Sequence, residues 1–324
     1  MLRKALLVIA VLLIVPLLTF SADKKMVVGF SQIGAENPWR TAMSENMKDA
    51  FAKAGMTLKF SDGQGKQENQ IKALRSFIAQ KVDVIILAPV VATGWDAVLK
   101  EIRDKHIPLI VVNRKLTVSV GNPEDYYLTF VGPDNTQAGK IAAQFLFDTF
   151  KNKPGDINIM ELQGTVGAST AVERKLGFDQ TLKSNPRFKI VASQSGDYTR
   201  AKGKEAAEAM IKSLKAQGKR IDALWSHGDD EGIGGAQALA EAGLKPGKDV
   251  VIVSVDGLKI TFEEMVAGRY NATIENPINY GPKCVELVNT IAAGKANTIA
   301  KVNWVNFKLY TAATAAKDLP TRVY

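Results

Sequence analysis

From residue 26 onward, short apolar runs alternate with segments that carry apolar residues on one face only. Met26–Phe30 reads as a strand, followed by a helix to about Ala54. Thr57–Phe60 is a second strand. Lys66–Gln80 places Ile71, Leu74, Phe77 and Ile78 on one side of a helix. Val82–Leu87 and Leu109–Val112 are nearly continuous apolar runs, the pattern of strands covered on both faces. A helix over roughly Gly94 to Lys105 separates them.

A link around Gly121–Gly132 follows, and the beat restarts. Asn135–Lys151 is a helix bearing Ile141, Phe145, Leu146 and Phe150. Strands are predicted at Ile157–Leu162, Lys189–Ser193, Ala223–Ser226 and Val250–Val255, with helices near Ala171–Lys183, Arg200–Lys215 and Glu231–Ala242. A last helix spans about Pro282 to Ala293. Strand–helix alternation gives parallel sheets with right-handed crossovers. Two runs of it predict an α/β chain of two doubly wound, parallel-sheet lobes, which 324 residues accommodate.

The first residues break the beat. Arg3 and Lys4 precede an apolar run from Ala5 to Phe20, interrupted by Pro16 and closed by Ser21 and Ala22. This is the layout of a secretory signal over residues 1–22, with cleavage near Ser21 or Ala22 and the periplasm as destination. Cys284 is the single cysteine, so an exported chain gains no internal disulfide and relies on its core. Its neighbours Val285, Leu287, Val288 and Ile291 predict a packed thiol. The net charge of +9 comes from lysines scattered among acids, without a basic block that would suit nucleic acid.

Open parallel sheets bind ligands beyond the carboxyl ends of their strands. The residues expected there form a biased set. Ser31 and Gln32 end the first strand, and Asn37, Trp39 and Arg40 open the next helix. Asn113 and Arg114 follow the fourth strand. In the second run the exits carry Gln163, Tyr198, His227 to Glu231, and Asp256. Guanidinium, carboxylate and carboxamide groups hold paired hydroxyls in fixed geometry, while aromatic rings cover the apolar face of a sugar. Trp39, Arg40, Arg114, Arg174 and Asp256 are sufficient for micromolar capture of a monosaccharide. Catalytic and metal-ligating sets are thin. His106 and His227 are not paired at metal spacing, and Asp229, Asp230 and Glu231 suit the positive end of a helix. No metal, cofactor or enzymatic activity is expected.

Longer stretches carry a resemblance: DGQGKQENQIKALRSFIAQ from Asp62, APVVATGWDAVLKE from Ala88, ELQGTVGAS from Glu161, SQSGDYTRAKGKE from Ser193 and AGLKPGKD from Ala242. From about Val27 to the last helices the chain resembles the periplasmic sugar-binding proteins of the ribose-binding type, in particular those that take galactofuranose. The resemblance implies a type I periplasmic binding protein fold, with three hinge crossings near Gly132–Pro133, Glu275–Pro277 and Val302–Val305. The lobes would comprise residues 23–132 with about 277–303, and 133–276 with about 304–324. It also implies a monomer that delivers its sugar to an inner-membrane ABC permease. Sugar contacts carry over onto Ser31, Trp39, Arg40, Arg114, Arg174, Tyr198 and Asp256, with Asn37 and Glu275 beside them. Two positions depart from the family pattern: Asn113 stands where Asp is usual, and Gly228 where Asn is usual. The fold class also serves repressors, enzymes and signal receptors. A repressor would need a DNA-binding helix pair where this chain has an export signal, whereas a receptor feeding a sensor stays open and, behind it, a sugar-processing enzyme.

Overall fold

The computed structural model describes residues 25–324, so the expected export signal lies outside the described residues. No described helix is long and apolar enough to cross a membrane. The first sheet contains β1 (Val27–Gln32), β2 (Thr57–Asp62), β3 (Val84–Leu87), β4 (Leu109–Val112), β5 (Thr129–Gly132) and β11 (Val302–Trp304). Its order is β11-β5-β4-β3-β1-β2, and every pairing is parallel. The second sheet contains β6 (Ile157–Gln163), β7 (Phe188–Ser195), β8 (Ala223–Ser226), β9 (Val251–Asp256), β10 (Ala272–Glu275) and β12 (Lys308–Thr311). Its order, β12-β10-β9-β8-β6-β7, repeats that of the first, with one antiparallel pairing between β10 and β12. Each lobe is therefore a doubly wound sheet whose strand order reverses beside its first strand.

Both faces of the second sheet are covered. Met160, Leu162, Leu224 and Ile252 point into one apolar cluster, while Ile159, Trp225, Val251 and Val253 point into another. This is the two-residue alternation of a strand with helices on either side. In the first sheet, β3 (VIIL) and β4 (LIVV) are buried along their whole length, as their unbroken apolar runs require. The expected link at 121–132 ends in a strand, β5. Four residues after a polar stretch were too short to show a period.

The chain leaves the first sheet after Gly132, returns after Glu275 and leaves again after Trp304. Three connections thus join the sheets, the last at 305–307. Helix α1 (Pro38–Lys53) packs on α9 (Tyr280–Ala292), so the returning segment is anchored against the N-terminal half. Cys284 of α9 is buried there, and burial pushes its thiol up to about 12.

In the second lobe, α4 (Asn135–Thr149) lies against α5 (Ser169–Leu182) at backbone contact distance. A Cβ on Gly139 would fall 2.1 Å from the Arg174 carbonyl oxygen, and one on Gly177 would fall 2.0 Å from that of Thr136. Phe178 stacks on Trp225 of β8 with ring centroids 5.2 Å apart, fixing the rotation of α5 on the sheet. Arg174 takes its place from these two contacts. Gly177→Ala gains at most about 1 kcal/mol of helix propensity, against an overpacking cost of about 1–3 kcal/mol. Urea denaturation is expected to show a net loss of stability; an unchanged or raised midpoint would contradict this account of the helix contact.

Candidate functional site

A cavity lies between the carboxyl ends of the two sheets. Asn37, Trp39, Arg40, Asn113, Arg114, Thr170, Arg174, Tyr198, Asp256 and Asn276 line it, around about 270 Å³ free of protein atoms that includes open solvent. Apart from Asn37, each of these residues is at most 5% exposed, so the lobes are closed over the space.

The N-terminal wall is built on one helix start. Asn37 caps α1, accepting the Arg40 backbone N–H at 2.9 Å, and Pro38 supplies a preset first turn. That cap orients Trp39 and Arg40 into the cavity. Arg40 donates from Nε to Glu36 Oε1 at 3.1 Å and from a terminal nitrogen to Asn113 Oδ1 at 3.1 Å, and its guanidinium lies 4.8 Å from the Trp39 ring centre. Asn113 occupies left-handed backbone, φ 65°, a conformation that asparagine tolerates better than most residues. Its Nδ2 donates to the Tyr280 hydroxyl at 3.3 Å. Arg114 donates to the Val90 carbonyl at 2.7 Å, while its Nε is buried without a partner.

The opposite wall has Tyr198 at its centre. The ring sits near the Arg114 guanidinium (5.4 Å) and that of Arg174 (5.8 Å), and its hydroxyl lies 2.9 Å from Thr170 Oγ1. Its left-handed backbone, φ 57°, is held by Glu231, whose carboxylate accepts the Tyr198 N–H at 2.9 Å. Arg174 donates Nε to Asn135 Oδ1 at 3.0 Å and a terminal N–H to the His227 carbonyl. Asp256, at φ 135°, occupies strained backbone for a residue with a Cβ. The turn after it is clamped by Asp229, which accepts from the N–H groups of Gly257 (2.9 Å) and Leu258 (2.7 Å) and from the hydroxyls of Ser254 and Thr273. Asp230 forks onto Arg200 at the start of helix α6 (Arg200–Ala216). The three helix-opening acids therefore act as braces for the wall in addition to suiting the helix dipole.

The lobes meet through Asn37 Nδ2 to the Tyr198 carbonyl (3.2 Å), Trp39 Nε1 to the Asn276 carbonyl (2.6 Å) and the Lys115 N–H to Ser169 Oγ (2.8 Å). A Lys115–Glu173 ion pair at 2.9 Å joins them at the rim. A parallel two-lobed fold of this order, with a polar cavity at facing strand ends, matches the family model for the periplasmic binding protein domain over residues 28–296. The chain is a periplasmic binding protein.

Relatives of this periplasmic binding protein cover most of its length. The galactofuranose-binding protein YtfQ of Escherichia coli is 48% identical over 258 residues, 79% of each chain. The arabinose ABC transporter component from Shewanella sp. ANA-3, solved bound to alpha and beta-L-arabinofuranose, shares 44% identity. It superposes with a TM-score of 0.86, covering 92% of this chain and 95% of its own. A Mycobacterium smegmatis protein in complex with beta-D-fucofuranose shares 41% identity at a TM-score of 0.86, covering 91% and 94%.

Eight of the ten residues expected at the site line the cavity of this binding protein; Ser31 and Glu275 do not. Ser31, next to last in β1, is wholly buried. Glu275 turns away because Arg322 and Tyr310, on the far side of β10, take up its carboxylate. Thr170 and Asn276 line the cavity but were not expected there. Thr170 opens α5 beside the quoted GTVGAS stretch, and Asn276 follows β10, a four-residue strand without a readable period. Gly228 faces the cavity wall: a Cβ there would lie 2.9 Å from Tyr198 Cδ1 and 3.4 Å from Asp256 Oδ2. The missing side chain leaves room for the Tyr198 ring.

Burial dominates the titration of the site. It pushes the Asp256 carboxyl up to about 8, Asp229 up to about 6 and Glu231 well above the usual carboxylate range. Behind Arg174, burial lowers His227, whose Nε2 lies 3.3 Å from Glu161 Oε1. Burial would raise Glu161, but His227, Ser193 and Lys175 together outweigh it and hold it down to about 2. A histidine depressed on folding favours the native state fully above the unfolded value near 6.5, and that contribution is lost as pH falls. The raised carboxyls of Asp256, Asp229 and Glu231 act in the opposite sense, so the difference between variants is the informative quantity. His227→Gln is expected to be less sensitive than wild type to acidification from pH 7 to 5 in urea melts; parallel pH profiles would contradict it.

Proposed function

We propose that this periplasmic binding protein captures one monosaccharide, galactofuranose or a related furanose or pentose, and presents it to an inner-membrane ABC permease. The closed cavity carries the reading. Guanidinium and carboxamide groups from both lobes converge on this space, with the rings of Trp39 and Tyr198 in its walls. Planar forks match vicinal hydroxyls, and rings cover C–H faces with little loss of rotamer freedom. The sugars bound by the relatives support a furanose.

Binding without turnover is the proposed chemistry. Asp256 is the one carboxylate among the cavity-lining residues, so no second acid is placed to work with it on a bound substrate. The protein is proposed to act as a monomer in the periplasm after loss of residues 1–22, with no role for nucleic acid. Its lobes are proposed to divide as 23–132 with about 277–303, and 133–276 with about 304–324.

A thermal-shift panel of furanose and pyranose sugars tests the reading, since a ligand of the native state raises the melting temperature by mass action. At least one furanose or pentose, neutral or as its acid, should shift it; silence across all of them would sink the proposal. Arg174→Ala is expected to weaken sugar binding about 100-fold, as truncation of a buried charged anchor costs roughly 2–4 kcal/mol, while circular dichroism stays native. Undiminished affinity in that variant would remove Arg174 from the site. Solution scattering should show a smaller radius of gyration with saturating sugar, and superimposable profiles would argue against hinge closure.

A further inference from the structure

The charges around the cavity do not balance. Three guanidinium groups line it, from Arg40, Arg114 and Arg174, against the single carboxylate of Asp256. Of the three, Arg40 alone makes an ion pair among the described residues, with Glu36 at 3.1 Å. Arg174 is met by neutral acceptors, the Asn135 carboxamide and the His227 carbonyl. Arg114 has the Val90 carbonyl on one terminal nitrogen and an unpartnered Nε, although the residue is 2% exposed. Between Arg40 and Arg114 in this wall stands Asn113, which offers Arg40 a neutral oxygen and spends its Nδ2 on Tyr280. A buried cation short of counter-charge is costly, and the one carboxylate of the first lobe that acts on Arg114, Glu36, is ion-paired to Arg40. Burial and then the neighbouring Arg40 pull Arg114 down to about 10, and Asp256, pushed up by burial, offsets less than a full charge at neutral pH.

Two cavity-lining side chains carry a buried atom without a partner, Nε of Arg114 and Oδ1 of Asn276. The free Arg114 edge is a donor on the first lobe. Asp256 and the unpartnered Asn276 Oδ1 are acceptors on the other side of the cavity. Hydroxyls suit the acceptor side, and an anion suits the donor side.

We propose that the sugar taken by this cavity is a monosaccharide acid, an aldonate or uronate, whose carboxylate pairs with the Arg114 edge while its hydroxyls face Asp256 and Asn276. The inference rests on the sugar-receptor reading and names the ligand's chemical class. A carboxylate supplies the missing counter-charge and forms charge-assisted hydrogen bonds, about twice as strong as neutral ones. The small cavity limits the ligand to a single ring or short chain.

Calorimetry on the purified protein should compare D-galacturonate, D-galactonate and L-arabinonate with D-galactose and L-arabinose. One of the acids is expected to bind about tenfold or more tightly than its neutral counterpart, a margin of roughly 1.4 kcal/mol. Asn113→Asp keeps a residue that tolerates the left-handed backbone and adds the internal counter-charge. That variant should lose the preference for the acid by about tenfold or more. Neutral sugars binding as tightly as the acids, or an unchanged preference in Asn113→Asp, would overturn the inference and leave the sugar receptor standing. Failure of both acids and neutral sugars to bind would remove the receptor reading as well.

Discussion

Burying a guanidinium takes it out of water at a cost of several kcal/mol unless its edges find partners. This protein buries three of them around one small cavity, and much of the local architecture serves that requirement. Arg40 is met by Glu36 and Asn113, Arg174 by Asn135 and a backbone carbonyl, and Arg114 by the carbonyl of Val90. Each partner lies in a strand-exit segment or a first helical turn. The two sheets bring those segments face to face because both follow the same strand order. Doubling one simple topology supplies the two half-sites.

Carboxylates away from the ligand space do the bracing. Asp229, Asp230 and Glu231 open one helix, α7 (Asp229–Glu241), yet each reaches a different loop: the turn after Asp256, the start of α6 and the backbone of Tyr198. Three loops of the second lobe thereby move as one body with that helix. The strain at Tyr198 and Asp256 is carried by these bonds. The cavity wall is correspondingly stiff, as a receptor needs if binding energy is to go into closure.

Much of this was legible in the residues. Helices and central strands showed their periods because they are long or wholly apolar; the two lobes and seven cavity residues followed from order along the chain, and Arg174 from the family resemblance. The misses share a cause. β5, β10 and Asn276 sit in four-residue strands or just beyond one, where side-chain periodicity has too few points to read. Glu275 was carried over from the family resemblance, but its side-chain direction depended on Arg322, 47 residues away. Ser31 was right for a strand end, but it is wholly buried and does not line the cavity. The departure at Gly228 could be noted in the sequence, whereas its meaning required the Tyr198 ring to be seen lying against it.

Asn37 spends one carboxamide on two tasks. Its oxygen caps α1 within the first lobe, and its nitrogen reaches across to the Tyr198 carbonyl. When the lobes part, the second bond breaks and the first remains. Arg40, bonded to Glu36 and Asn113 of the same lobe, keeps those partners as well, whereas Trp39 gives up its bond to the Asn276 carbonyl. The first-lobe half of the cavity therefore rests on bonds that do not depend on closure, and only the second half is completed by it.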